Sequence, residues 1–158
     1  MKTIIVYYSL EGNTEYAANR IAELTGCDIL RIEPQKDYPT GKVSKFFWGG
    51  KSAVMAETPA LKAYKFNSAE YDRIIFGSPV WASNITPPLR TFIKENELKG
   101  KSFAAFLCQG GNGAEKAFDK LSAALGAPLS ETLILIDPKE HRSAENDDKI
   151  RKFCERLG

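Results

Sequence analysis

Residues 4–24 read IIVYYSLEGNTEYAANRIAEL, and two hydrophobic periods meet inside them. Ile4 to Tyr8 is an unbroken apolar run of strand length. Beyond Gly12 the apolar residues Tyr16, Ala17, Ile21 and Leu24 return at helical spacing. The residues between, Ser9 to Thr14, therefore form a tight strand-to-helix turn carrying two hydroxyls, an Asn and one Gly. Such a turn aims unpaired backbone N–H groups and the positive end of a helix dipole at one spot, which suits an anion. The spacing predicts a helix over 13–25, stopped by Gly26.

The same alternation continues along the chain. Four further runs read as strands: CDILRIE (27–33), RIIFGS (73–78), SFAAFLC (102–108) and ETLILID (131–137). The last two are almost continuously apolar, as expected for strands covered on both faces. Helical patterns fall at about 86–96, 113–125 and 143–156. The last of these follows Ser143, with acidic residues early and Lys149, Arg151 and Lys152 later, in accord with the helix dipole. Strands alternating with helices imply an α/β, doubly wound five-stranded parallel sheet in the expected order 2-1-3-4-5, with helices on both faces. Residues 1–158 are read as a single domain.

Composition narrows the function. Apolar content of 43%, charged content of 27% and a net charge of +2 describe an ordinary globular chain without the basic footprint of a nucleic-acid binder. Three cysteines, Cys27, Cys108 and Cys154, stand far apart with no CxxC, and are expected as reduced thiols in a cytoplasmic protein. His141 is the sole histidine, so a Cys/His zinc site and a histidine relay both lack parts. The apolar segment after Lys2 is too short for a leader. No run approaches about 18 apolar residues, so no membrane span is expected.

One segment breaks the rhythm. Residues 34–70 exceed a normal crossover, and between 36 and 65 hold lysines 36, 42, 45, 51, 62 and 65 against Asp37 and Glu57. Tyr38, Phe46, Phe47, Trp48, Tyr64 and Phe66 are interleaved. We expect a short helix at about 42–55 within a wrapping loop whose aromatics pin it to the sheet edge.

In open parallel sheets a ligand sits beyond the carboxyl ends of the strands where the strand order reverses, here between strands 1 and 3. Three loops meet that position: SLEGNT (9–14), SPVWASNITPP (78–88) and CQGGNGAEK (108–116). In the first, Ser9, Asn13 and Thr14 offer side-chain donors and Gly12 permits close approach of the backbone to an oxygen. The loop holds no lysine, so it is not a GxxxxGK[ST] loop. Binding that relies on N–H dipoles and hydroxyls suits a monophosphate ester. In the second loop Trp81 is expected to be exposed and to offer its face to a planar ring, while Pro87 and Pro88 open the next helix. The third loop, Gln109 to Gly113, could set backbone amides against ring oxygens. It fails GxGxxG because Lys116 occupies the final position, and the first loop has only Gly12, so a dinucleotide site is not expected. A phospho-receiver site is excluded too: the ends of strands 1 and 3 carry no carboxylate.

These loops carry a family likeness. SLEGNT resembles the [ST]-x-x-G-N-T phosphate loop of flavodoxins. GSPVWASNITPPLRTFI (77–93) is similar to the G-x-P-x-W…PP…FI segment of a branch of short bacterial flavodoxin-like proteins, as is FWGGKSAVMAETPALKAY (47–64). The resemblance implies FMN as cofactor, its phosphate held by Ser9, Glu11 through its amide, Gly12, Asn13 and Thr14. It implies an isoalloxazine against Pro79, Val80, Trp81 and Asn84, with Ser78 in the same stretch, and a pyrimidine edge met by Cys108, Gln109, Gly110 and Gly111. It further implies electron transfer between oxidoreductases, with an FMN-dependent NAD(P)H:quinone or flavin reductase as the alternative. The partners would be redox proteins or a small quinone-like acceptor, and the oligomeric state stays open. No side chain stands out as a general acid or base. The chain departs from the usual acidic flavodoxin, from which we expect a less negative potential for the last reduction step. The third loop lacks the acidic and aromatic residues that many flavodoxins place after their Cys-Gly pair, which would leave the second ring face open to a small substrate.

Overall fold

Short strands joined by helical crossovers pair in parallel, and the computed structural model, which describes residues 1–40 and 57–158, contains five of them. They are β1 (Thr3–Tyr7), β2 (Asp28–Arg31), β3 (Arg73–Pro79), β4 (Ser102–Gln109) and β5 (Glu131–Ile136). They form one parallel sheet in the order β2-β1-β3-β4-β5, as expected from the sequence. The register places Val6 beside Leu30 and Phe76, and Pro79 beside Cys108. Four α-helices are described: α1 (Asn13–Thr25), α2 (Pro87–Glu95), α3 (Ala114–Leu125) and α4 (Ala144–Leu157).

The helices divide between the two faces according to their apolar stripes. On one face Leu89 and Phe92 of α2 and Ala114, Ala117 and Leu121 of α3 pack on Ile4, Val6, Ile74, Phe76 and Ala105. On the other, Ala17, Ala18 and Ile21 of α1 join Ile150, Phe153 and Leu157 of α4 over Ile5, Ile75, Ala104 and Phe106. Alternate residues of β1 thus enter different cores, the period-two signature of a strand covered twice. Phe106 crosses Gly77 so closely that a Cβ there would lie 2.2 Å from the ring.

Helix ends follow their local chemistry. Gly12 and Gly26, both at positive φ, bracket α1, and two prolines open α2. The Ser143 hydroxyl accepts from the Asn146 N–H at 3.1 Å to cap α4.

Two expectations need correction. β5 is fully covered on one face only: Leu133 and Leu135 are buried, Ile134 is partly buried against the opposite core, and Ile136 at the end of this edge strand is 39% exposed. β2 is shorter than its apolar run. Beyond it the chain turns into an antiparallel bridge between Pro34 and Leu61, with the Gln35 N–H donating to Ala60 O and the Lys62 N–H to Glu33 O, both at 2.8 Å. The aromatics of the described part of the long segment do pin it: Tyr64 and Phe66 pack on Phe92, with ring centroids 5.6 and 4.9 Å away. The expected helix at 42–55, with Phe46, Phe47, Trp48 and lysines 42, 45 and 51, lies outside the described residues. Among those described, no helix is long and apolar enough to cross a membrane.

Candidate functional site

The site is built where β1, β3 and β4 end. Tyr8 continues β1, its N–H donating to Gly77 O at 3.2 Å, and the chain then turns sharply through Ser9–Gly12. Gly12 sits at φ 99, a backbone region that L side chains rarely enter. The buried Ser9 hydroxyl accepts from the Gly12 N–H at 3.2 Å, which closes the turn. The first α1 bond runs from the Tyr16 N–H to Gly12 O at 2.9 Å, so the N–H groups of Asn13, Thr14 and Glu15 precede the ladder, as donors at the positive helix end. Glu11 is exposed at the rim of this turn.

Two side chains of this loop have partners that the sequence does not disclose. Thr14 is buried and its hydroxyl is hydrogen-bonded to the Cys108 thiol. Burial pushes the Cys108 thiol up to about 12, outweighing the Thr14 bond that acts the other way, so it is protonated at neutral pH. Asn13 Oδ1 accepts from the Lys139 N–H at 2.8 Å. The Lys139 ammonium in turn reaches Glu11 O at 3.3 Å. The cation absent from residues 9–14 is therefore supplied by the loop after β5.

The second loop is a strained tight turn. Trp81 and Asn84 exchange two backbone hydrogen bonds, each 3.0 Å, across Ala82 and Ser83 at φ 50 and 57. Two consecutive positive φ values define a turn that ordinarily takes Asn-Gly, so Ala and Ser there store backbone strain. Beneath it Ser78 is wholly buried: its hydroxyl accepts from the Thr86 N–H at 3.0 Å and donates to Pro79 O at 2.8 Å. Ser78 thus holds the loop's shape from below and does not line the crevice. The Asn84 side-chain Oδ1 accepts from the Ile85 N–H at 2.9 Å and from the Arg90 guanidinium at 2.5 Å. Burial lowers the Arg90 guanidinium from its ordinary value.

Trp81 corrects an expectation. It is 8% exposed and wedged edge-on between Tyr8 and Tyr38, with centroids at 5.9 and 5.1 Å and interplanar angles of 83° and 82°. The long segment folds back far enough to bring Tyr38 over it, and the indole gains more by burial than by offering its face to solvent. Pro79 and Val80 are half-buried, and Ala82 at the tip of the turn is exposed.

The third loop starts one residue later than its sequence suggests, because Gln109 ends β4. Its side-chain oxygen accepts from the Ala114 N–H at 3.1 Å and so caps α3. Gly110 and Gly111 are exposed and free of crowding at their open sides, except that a Cβ on Gly110 would come within 3.4 Å of the Asp137 carboxylate. Gly113 abuts the second loop: a Cβ there would be 2.6 Å from Ser83 Oγ. The three loops predicted to converge do meet. Sequence reasoning missed the fourth participant, Asp137 to Lys139, in which Asp137 has φ 40 and its N–H donates to Gln109 O at 3.2 Å. Its only signal was its place beyond a strand's carboxyl end. Among the described residues no cluster of His, Cys, Asp and Glu could hold a metal ion.

The switch point of this doubly wound sheet therefore gathers a helix N-terminus covered by a lysine, a strained turn and a glycine loop. A family model for flavodoxin matches residues 2–155, and the chain belongs to the flavodoxin family. Among solved structures it is similar to a protein of Bacteroides eggerthii DSM 20697 assigned as a flavoprotein, with 25% identity, TM-score 0.78, and 98% and 96% of the two chains covered. A second, from Bacteroides uniformis ATCC 8492 and assigned likewise, shows 24% identity, TM-score 0.80, and 98% and 97% coverage. A flavoprotein of Lactobacillus acidophilus NCFM, solved in complex with FMN, shows 18% identity, TM-score 0.76, and 96% and 97% coverage.

Proposed function

We propose that this chain binds FMN and carries electrons between oxidoreductases. The observation that carries the reading is the meeting of four loops at the β1/β3 switch point of a chain belonging to the flavodoxin family. The residues present fit the group. The side of Gly12 that a Cβ would occupy holds the Lys139 ammonium, which with the α1 N-terminus supplies positive charge for a phosphate, and exposed Gly110 and Gly111 leave their backbone amides accessible.

FMN, when bound, supplies the electron chemistry, and the protein sets binding, access and potential. In this reading the amides of Asn13 to Glu15 hold the phosphate, and Pro79 and Val80 flank the ring system. Gly110 and Gly111 meet its polar edge, with the Asp137 carboxylate nearby. Trp81 supports Val80 from behind, as a buried wedge. The Cys108 thiol stays protonated below that edge and contributes shape without charge. Redox-partner proteins dock over the exposed loop rims, and the chain works in the cytoplasm.

The test is an absorbance spectrum of the purified protein, with FMN added, before and after anaerobic NADPH. Flavin bands that persist under NADPH alone and bleach with an added flavodoxin reductase support a carrier. Rapid bleaching by NADPH followed by quinone reduction would replace the carrier by an FMN-dependent reductase. Failure to bind FMN would overturn both.

A further inference from the structure

We propose that Lys139 is the residue that makes this site select a phosphorylated flavin: its ammonium is the ion-pair partner of the ligand's phosphate. The inference rests on the FMN reading above and adds to it a residue that lies outside the three loops and 126 positions from Asn13.

Two cations approach the turn at Ser9–Gly12, and their surroundings separate them. Arg31 donates to Ser9 O at 3.1 Å, but it is also paired with Glu15 at 2.8 Å and with Glu33 at 3.3 Å. Its charge is neutralised where it stands. Lys139 makes no ion pair with any described carboxylate. Among the described residues its one side-chain hydrogen bond is a long 3.3 Å contact to the Glu11 carbonyl, a neutral acceptor that an anion would outcompete.

The position of that ammonium is set by backbone, not by chance. The Lys139 N–H is held by Asn13 Oδ1 at 2.8 Å. The turn around it is tied down at both ends: the His141 N–H donates to Asp137 O at 2.8 Å, and the Asn146 amide donates to Ile136 O at 3.2 Å and His141 O at 2.8 Å. The lysine stem then lies along Gly12. A Cβ at Gly12 would be 2.8 Å from Nζ and 3.1 Å from Cδ, so the ammonium occupies the open side of the glycine, in front of the α1 N-terminus. Helix-end amides supply direction, and the lysine supplies a mobile point charge that can follow a phosphate oxygen. Riboflavin, which lacks the phosphate, leaves Lys139 on the Glu11 carbonyl and gains nothing from it.

The experiment measures dissociation constants for FMN and riboflavin by flavin-fluorescence quenching, at low and high salt, for the wild type, Lys139→Met and Lys139→Arg. We expect Lys139→Met to weaken FMN about five- to tenfold at low salt while riboflavin is unchanged, and to flatten the salt dependence of FMN binding. Lys139→Arg should keep most of the affinity. An equal loss for both flavins would make Lys139 a merely structural residue and overturn the proposal, as would an FMN affinity that does not change. If the wild type binds neither flavin, the FMN reading falls, and inorganic phosphate decides about Lys139. Amide shifts of Gly12 to Thr14 on phosphate titration that weaken in Lys139→Met uphold the ion pair, and equal titrations in both proteins overturn it.

Discussion

The rings of Trp81 and Tyr38 meet at 5.1 Å and 82°, so the loop after β3 is fastened to the long segment after β2 by an edge-to-face pair. Such pairs contribute about 0.5–1.5 kcal/mol beyond the area they bury. A double-mutant cycle of Trp81→Leu and Tyr38→Leu in urea denaturation should return a coupling of that size. A coupling near zero would mean that the contact adds nothing beyond burial. Trp81→Ala should cost about 3–5 kcal/mol as a buried large-to-small change, and weaken FMN as the loop loosens.

Thr14→Val removes a hydroxyl at the helix end while keeping its volume. In the FMN reading this hydroxyl exchanges its Cys108 partner for a phosphate oxygen, and loss of a hydrogen bond to a charged group costs about 1.5–3 kcal/mol. We expect FMN affinity to fall about tenfold or more and riboflavin affinity to fall much less. Equal losses in calorimetric titrations would take Thr14 away from the phosphate.

Gly77→Ala should be among the most disruptive substitutions in the sheet. The new methyl would lie 2.2 Å from the Phe106 ring, and both residues are fully buried. Overpacking of this kind costs about 1–3 kcal/mol or more. Thermal denaturation should show it, and Phe106→Leu in the same chain should recover part of the loss. An unchanged midpoint in the single variant would mean that the sheet yields without cost.

Ala82→Gly should act in the opposite direction. Relief of a positive φ at a non-glycine residue is favourable by about 1 kcal/mol, reduced by the greater freedom of glycine in the unfolded chain. The expected outcome is a protein slightly more stable than wild type, read from the urea midpoint at unchanged slope. A loss of stability would show that the methyl group packs to more effect than the backbone is strained.

The pH dependence follows from Cys108. Its folded value of about 12 lies above the ordinary 9.0, so the folded state holds a proton that the unfolded chain releases. The sign is fixed by linkage: this contribution is fully present below about pH 9 and is lost as pH rises toward 12. Cys108→Ala should give a shallower fall of stability across that window in urea titrations. Cys154, pushed up to about 11 chiefly by burial, leaves a residual slope in the variant. Identical slopes in variant and wild type would contradict the assignment.

The fold was legible because each element announces itself locally. The Ile4–Tyr8 run, the helical return from Tyr16 to Leu24 and the glycines at 12 and 26 report short-range physics, and the α1 boundaries follow from them. The order of the strands followed from the parallel-sheet rules. What was not legible depends on contacts between distant parts. The exposure expected of Trp81 failed because Tyr38, 43 residues earlier, returns to cover it. Ser78 belongs to a loop that faces the crevice, but its side chain points into the packing below, and composition carries no such direction. Lys139 follows an edge strand three positions from β1. It reaches the site because α4 packs beside α1 on one face of the sheet, which draws the preceding loop across the strand ends. Helix-to-helix placement of that kind leaves no trace in hydrophobic period.

The burial of Cys108 also gives the molecule an internal clock. Cys27 and Cys154 are partly accessible, while Cys108 lies beneath the strand ends, protonated and out of reach of alkylating reagents. A thiol-reactive dye would therefore label the first two while the sheet stays closed, and the third only during openings that part β4 from the loop at Thr14. The rate of that last modification counts such openings directly, and the degree to which a ligand slows it measures how tightly the ligand holds the crevice shut.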